Sequence, residues 1–384
     1  MFFMKKMILS VLSLSIILFI ISSIITHRVN ANEIDVSLNE YQSISNPPLM
    51  KNGRILLPLR ELATIFEAAV FWDESEERIT IIGVEYKIEM YLNKKEVALN
   101  EATAYQLDVP PVIHRGITYV PVRNLSDLFN VPITWDEQTS TLHINNESKY
   151  VWNQLEEMIY WVDKNNGMLY GSNNREMAMG MGDTNIEIID RSDSTINLLN
   201  DDTVLLEVHS NYGEPHINDE IFKILIKNGN VVYETDIKYH GHNSFYSIRF
   251  YQDYILMLQD STLNFVKNTG EVAYSYDLSK ITEIDDIFTV EWVNNDYLLI
   301  RPYQLETLML INRHTNETTL LYKNLANHNV KQLIDDYVNE YPHSDFQYAG
   351  DNLRLLEEKD GVLYFQYDHY FSSEQEIVEY KLNP

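Results

Sequence analysis

Between residues 47 and 144 the chain carries the same motif twice, 63 positions apart, and this duplication constrains the fold more than any other feature. Pro47, Pro48, Gly53, Pro58, Arg60, Leu62, Phe66, Trp72, Asp73 and Glu74 recur as Pro110, Pro111, Gly116, Pro121, Arg123, Leu125, Phe129, Trp135, Asp136 and Glu137. Ten identities weighted towards Pro, Gly, Trp and Arg mark a repeated structural unit rather than an accident of composition.

Each copy reads as a strand, a turn, a strand ending at proline, a short helix and a hairpin. In the first copy Asn52-Gly53 is a hairpin turn, residues 55–57 are an apolar strand, and Pro58 ends it and opens a helical turn. Leu59, Leu62, Ala63 and Phe66 then share one helical face. Residues 70–72 and 78–82 are strands joined through Asp73-Glu74-Ser75-Glu76. The second copy repeats the plan with strands at 117–120, 133–135 and 141–144 and a helix face of Val122, Leu125 and Phe129. Between the copies, residues 86–92 and 96–99 flank Asn93-Lys94-Lys95 as a further hairpin. The expectation is an α+β domain over residues 36–147, short helices against a twisted antiparallel sheet.

Asn52-Gly53-Arg54, Pro58-Leu59-Arg60 and Val70-Phe71-Trp72-Asp73, followed by Pro121-Val122-Arg123 and Ile133-Thr134-Trp135-Asp136, resemble the copper amine oxidase N-terminal-like domain, also called the stalk domain. The resemblance covers about 100 of the 384 residues and implies a non-catalytic accessory domain of exported bacterial proteins. This sequence departs from the family at the helix ends, where the usual glycine is Glu67 and Asn130. Asn tolerates a left-handed cap and Glu does so poorly, so the first helix is expected to end differently. Arg54 has no counterpart, because Ile117 stands in its place. In those enzymes the active site lies outside this domain and needs a cofactor-forming tyrosine in an Asn-Tyr-Asp/Glu context plus three copper-binding histidines. The only Asn-Tyr here, Asn211-Tyr212, is followed by Gly213, so amine oxidation is rejected and no cofactor is expected.

Two readings of the repeated arginines remain open. Arg60 pairs with Trp72 and Asp73, and Arg123 with Trp135 and Asp136, by stacking on the indole and bonding the carboxylate. Alternatively each is a solvated arginine on the outer face of its helix. On either reading Pro58, Arg60, Trp72, Asp73, Pro121, Arg123, Trp135 and Asp136 form a structural motif, not a catalytic one.

Residues 1–31 are a different material. Lys5 and Lys6 precede the nearly unbroken apolar run 7–25, and Val29-Asn30-Ala31 offers small residues for a signal peptidase. This reads as a secretory signal peptide, with an uncleaved anchor as the alternative and the only route to a membrane. The protein is then secreted or associated with the cell surface or wall. The absence of cysteine excludes disulfides, thiol catalysis and Cys-held metals. The formal charge is −28, and without residues 1–31 it becomes 26 bases against 57 acids, or −31. Such a charge excludes nucleic acid and anionic lipid as main partners.

Residues 150–384 read as strand after strand. Asp253-Tyr254-Ile255-Leu256 recurs 43 positions on as Asp296-Tyr297-Leu298-Leu299, each within a set of strands and turns, and a weaker copy lies upstream at 196–233 with residues 209–219 as an inserted loop. Four strands per 40–45 residues point to a β-propeller of about five blades, with four or six blades or an irregular β-sandwich as alternatives. The tail offers three strands, which a strand from the start of the domain would complete. Val330, Leu333, Ile334, Tyr337 and Val338 mark an amphipathic helix ending before Pro342.

His240 and His242 are the only closely spaced histidines and a weak candidate metal pair, with His209 and His216 as distant helpers. Asp163-Lys164-Asn165-Asn166-Gly167 has Gly at the third ligand position of a calcium loop and reads as a turn. No nucleophile elbow, phosphate loop or zinc-protease motif is present. The expectation is a non-catalytic binding or scaffolding protein that contacts a cell-wall or surface glycan or protein. The alternative is a polysaccharide-active hydrolase or lyase using carboxylates of the β-domain.

Overall fold

A computed structural model describes residues 34–38, 44–129, 131–188, 191–214, 217–240, 247–340, 350–369 and 373–383. The signal-peptide segment, His216, His242 and Asn130 lie outside the described residues. The chain divides into two compact units, Met1–Ser148 with Asn174–Ala178, and Lys149–Asn173 with Met179–Pro384.

The first unit runs β1 (Asp35–Leu38), β2 (Leu49–Lys51), β3 (Arg54–Pro58), α1 (Leu59–Ile65), β4 (Ala69–Asp73), β5 (Arg78–Ile82) and β6 (Lys87–Tyr91). It continues through β7 (Glu96–Leu99), β8 (Ala102–Gln106), β9 (Val112–His114), β10 (Ile117–Pro121), α2 (Val122–Phe129), β11 (Ile133–Asp136) and β12 (Thr141–Ile144). The sheets are β2-β3-β10-β9, the meander β4 to β8, and β1-β12-β11, in which β1 joins β12 in parallel. The sequence reading did not contain β1 or β8.

The two copies meet through β3 and β10, which pair antiparallel with Leu56 opposite Pro121, Leu57 opposite Val120 and Pro58 opposite Tyr119. Leu57 and Val120 are each other's counterparts in the duplication, and the flanking pairs exchange counterparts as well. A local two-fold axis therefore passes between Leu57 and Val120, normal to the sheet. Phe66 and Phe129, also counterparts, touch with ring centroids 4.6 Å apart. Both sit in one core with Leu57, Leu62, Ile81 and Val120. The hairpin turns match too: Asn52 and Gly53 have φ of 51° and 72°, Arg115 and Gly116 of 51° and 79°, the left-handed pair of a two-residue turn.

One expectation is corrected here. Glu67 does adopt the left-handed conformation, φ 55°, so the first helix ends as the family pattern prescribes despite the lost glycine. Glu67 is buried, and the Ser148 hydroxyl donates to its carboxylate at 2.6 Å, which holds the side chain where a glycine would have none.

The second unit is five antiparallel meanders in chain order. The first holds β13 (Tyr150–Leu155), β14 (Met158–Asp163), β15 (Met168–Ser172) and β16 (Met179–Asp183). The second holds β17 (Arg191–Asn200), β18 (Thr203–Tyr212), β19 (Asn218–Lys227) and β20 (Asn230–His240). The third holds β21 (Phe250–Tyr251), β22 (Tyr254–Gln259), β23 (Thr262–Val266) and β24 (Val272–Asp277), then α3 (Leu278–Thr282). The fourth holds β25 (Phe288–Val293), β26 (Tyr297–Pro302), β27 (Met309–Asn312) and β28 (Thr318–Leu320), then α4 (Tyr322–Leu325) and α5 (His328–Glu340). The fifth holds β29 (Leu353–Lys359), β30 (Val362–Asp368) and β31 (Gln375–Lys381).

Apolar cores link these sheets in order. Val162 and Leu169 of the first pack with Val204 and Phe222 of the second, and Leu205 and Leu225 of the second with Met257 and Val266 of the third. Phe265 of the third shares a core with Phe288 and Ile300 of the fourth, and Leu299 and Leu310 of the fourth with Leu363 and Phe365 of the fifth. Tyr254 and Tyr297, the anchors of the 43-residue repeat, each open the second strand of their sheet.

Three readings change. Of the expected inserted loop, residues 209–212 and 218–219 are strand, with Tyr212 opposite Asn218, and extend a hairpin of two ten-residue strands. Among the described residues the fifth sheet borrows no strand, because β13 pairs with β14 in the first sheet. On α5 Val330 and Ile334 are buried against Tyr322 and Ala326, but Leu333 is exposed.

Candidate functional site

The duplication builds two equivalent grooves. In the first, the end of β3 and start of α1 supply Pro58 and Arg60, β4 supplies Trp72, and the turn of the other copy supplies residues 116–118, around a cavity of about 320 Å³. In the second, Pro121 and Arg123 stand with Trp135 and with residues 53–55 of the first copy, around about 580 Å³. Every residue just named in one groove has its counterpart in the other. Alternation along β4 turns Trp72 to the core face beside Ile79, where it stays half-buried, and Phe71 to the opposite face, while Trp135 is 36% exposed.

The framework around the grooves is matched as well. Glu61, next to Arg60, accepts the Ser45 amide at 2.6 Å, and its counterpart Asn124 accepts the Asp108 amide at 3.1 Å. Ser45 and Asp108 are themselves counterparts.

The copper amine oxidase N-terminal domain family matches residues 36–144. Residues 36–144 are thus similar to copper amine oxidase N-terminal domains. No curated protein matches the chain. Among solved structures, a protein of unknown function from Bacteroides caccae is similar at 14% identity over 61% of this chain and 79% of that one, TM-score 0.25. Apo AztD from Citrobacter koseri is similar at 8% identity over 66% and 84%, TM-score 0.22. The Pan2 WD40 domain of Neurospora crassa is similar at 9% identity over 67% and 78%, TM-score 0.19. At such TM-scores these likenesses carry no argument about fold or function.

Within residues 36–144 the Arg–Asp pairing of the first reading is absent. Asp73 accepts the Ser75 hydroxyl at 2.7 Å and the Ser75 and Glu76 amides at 3.0 and 3.3 Å, and it faces Arg78 at 3.5 Å. Asp136 accepts the Gln138 and Thr139 amides at 2.8 and 3.4 Å. The Ser75 hydroxyl chiefly, and the Gln138 amide chiefly, hold these two carboxyls below the ordinary carboxylate range. Both aspartates are turn fasteners, a local competition that an arginine a helix away does not win. Arg60 and Arg123 are exposed and, among the described residues, form no ion pair and no ring contact. The solvated reading holds for both.

The grooves have diverged around this shared set. The first carries Ile113, 51% exposed, and Ile117, whereas the second carries Arg54, bonded to Asp108 at 2.6 Å, and Asp127, which accepts the Tyr105 hydroxyl at 2.5 Å. What both offer is an unengaged planar guanidinium beside an indole, which suits a carboxylate attached to a flat apolar surface. Neither groove sets a nucleophile against a base.

The β-unit has its own cavity, about 390 Å³, lined by Lys238, His240, Asp260, Asp285, Asp286 and Tyr303. His240 sits at the end of β20 with Nδ1 2.6 Å from the Asn218 side-chain oxygen, and Lys238 is 2.9 Å from Glu220. Among the described residues no group of three metal-ligating side chains forms. Burial raises Asp286 to about 6, yet its two oxygens accept the Ile287 and Gln304 amides at 2.8 and 2.9 Å. That is a loop fastener. A raised folded value means the ionised form is disfavoured in the fold. The contribution to stability is thus full below about pH 4, falls as pH rises towards 6, and is flat above. A carbon-13 NMR titration should place Asp286 near 6, and Asp286→Ala should remove that segment of the pH–stability curve. A titration at or below 4 would contradict the assignment.

The sequence placed Pro58, Arg60 and Trp72 together but could not show that the turn of the other copy closes each groove. The signal was the identity of Gly53 and Gly116, whose meaning depends on the pairing of β3 with β10.

Proposed function

We propose that this is an exported, non-catalytic binding or scaffolding protein of the cell surface or wall, engaging glycan or protein through the twin grooves of its copper amine oxidase N-terminal domain. The observation that carries this reading is the repeated set of exposed arginine, indole and proline around two open cavities. Leu62 and Phe66 recur because they fill a core, and Asp73 recurs because it fastens a turn. Arg60 recurs as Arg123 with neither burial nor, among the described residues, an ion pair to explain it, and a ligand does explain it.

The apolar run after Lys5 and Lys6, ending in Val29-Asn30-Ala31, supports export with removal of residues 1–31. Among the described residues no helix is long and apolar enough to cross a membrane. Five meanders whose cores link each to the next are the arrangement a propeller of about five blades requires, and such a unit would present its loops as a second contact surface.

The test uses residues 32–384 in a cell-wall pull-down and on a glycan array. Wild-type protein is expected to be retained, and Arg60→Ala combined with Arg123→Ala to be lost from the same material. No retention of wild type, or equal retention of the double variant, would reject the grooves as the binding site.

A further inference from the structure

We infer that the two grooves are separate sites for a carboxylate-bearing glycan and that the domain bridges two chain segments rather than gripping one. This rests on the reading of the grooves as binding sites and adds to it the ligand's chemistry and the geometry of its capture.

The chemistry follows from what each groove leaves unengaged. Acids outnumber bases by 57 to 29, yet among the described residues Arg60 and Arg123 bond to no carboxylate. A guanidinium presents a planar fork of donors that matches a carboxylate in two places. Trp72 and Trp135 add flat apolar faces beside it, on which the C–H side of a sugar ring packs, as amphipathic aromatics do at interfaces. The protein's net charge of −28 repels a sugar-acid chain, with one carboxylate per ring, less than a nucleic-acid duplex, with about one charge per 1.7 Å of axis.

The geometry follows from the pairing of Leu57 with Val120. The two grooves are related by a two-fold axis, not by a translation. A glycan chain has a direction, from non-reducing to reducing end. A chain lying in one groove in a given sense would have to run backwards through the other to make the same contacts. Two antiparallel segments, from two chains or from distant parts of one long chain, meet both grooves in the same sense. Translational repeats would instead read consecutive units of a single chain.

The experiment uses residues 32–384 with two probes, trigalacturonate and long polygalacturonate. Calorimetry should give two trigalacturonates per protein, and light scattering should rise on mixing with the polymer as chains are bridged. Arg60→Ala or Arg123→Ala alone should halve the stoichiometry, weaken the altered groove at least about tenfold and abolish the rise in scattering while polymer is still bound. The double variant should bind neither probe, and Arg191→Ala, an exposed charge change in the β-unit, should change nothing. Unchanged thermal melts establish that the variants are folded. One trigalacturonate per wild-type protein, or polymer binding without scattering, would overturn the bridging geometry. Equal binding of a neutral galactan or of polyglutamate would overturn the sugar-acid assignment and leave the grooves as binding sites. Binding of neither probe would overturn the sugar-acid assignment, while the cell-wall pull-down decides the underlying reading separately.

Discussion

Replacing Arg301 by alanine is expected to destabilise the β-unit by about 3–5 kcal/mol, the cost of stranding buried carboxylates. Arg301 lies on β26 and is 4% exposed. Its guanidinium donates to Glu291 at 2.5 Å, to Asp351 at 2.9 Å and to the carbonyls of Glu306 and Leu353 at 2.6 and 2.7 Å. Asp351 is fully buried and also accepts the Leu308 amide at 2.6 Å. Leu353 opens β29, so one side chain ties the fourth sheet to the fifth. Burial pushes the carboxyls of Asp351 and Glu291 up while Arg301 pulls them down. Without the arginine the upward push is opposed only by the Leu308 and Leu353 amides at Asp351. Ionisation is then penalised in the folded state, and a carboxyl with a raised folded value loses stability as pH rises. The deficit should therefore be largest at pH 7 and shrink as pH falls towards about 4, where both carboxyls accept protons. Urea unfolding of wild type and variant at the two pH values measures this. A deficit independent of pH would mean that lost packing, not stranded charge, causes the damage. Combining Arg301→Met with Asp351→Asn and Glu291→Gln should cost less than Arg301→Ala alone, because no charge is left unpaired.

This network shows where sequence reading stops. Arg301, Glu291 and Asp351 span 60 positions, and nothing local to any of them announces a partner. What was legible was periodic or punctuated. Arg78–Ile82, Glu96–Leu99 and Thr141–Ile144 were bounded by turn residues and came out as read. The 43-residue repeat located Tyr254 and Tyr297 because a repeated antiparallel meander writes the same alternation each time. Residues 209–219 failed for the converse reason. Asn211, Gly213 and Asn218 are turn formers, yet the cross-strand register of β18 and β19 carries the ladder through Asn211 and Asn218. The candidate site was half legible. Pro58, Arg60 and Trp72 were recognised from identity between the copies, but their arrangement depends on the β3–β10 axis, a contact 63 residues long. Asp73 was assigned to Arg60 because distance in sequence hides how cheaply a carboxylate is satisfied by amides two and three residues on.

Phe66→Ala and Phe129→Ala are each expected to cost about 3–5 kcal/mol, as for other buried aromatic truncations. The two rings are 4.6 Å apart across the two-fold axis, and Tyr86 closes over them with its ring 5.1 Å from Phe129 and its hydroxyl 3.3 Å from the Phe66 carbonyl. The double variant should cost less than the sum of the singles by about 0.5–1.5 kcal/mol, because the second truncation removes a ring whose partner is already gone. The consequence for the domain is sharper than the magnitude. If the copies were independent modules that merely touch, Phe66→Ala would loosen α1 and β4 and leave α2 and β11 protected. A single core built across the axis instead requires that either truncation lower hydrogen-exchange protection in both copies, most directly at β3 and β10, whose ladder runs over these rings' core. Loss confined to the mutated copy, with additive costs in the double variant, would show that the duplication yields two domains in contact. Loss shared by both would show that neither copy buries enough of its own apolar face to stand alone. On that outcome the two grooves are held at one fixed spacing, which bridging two chain segments requires.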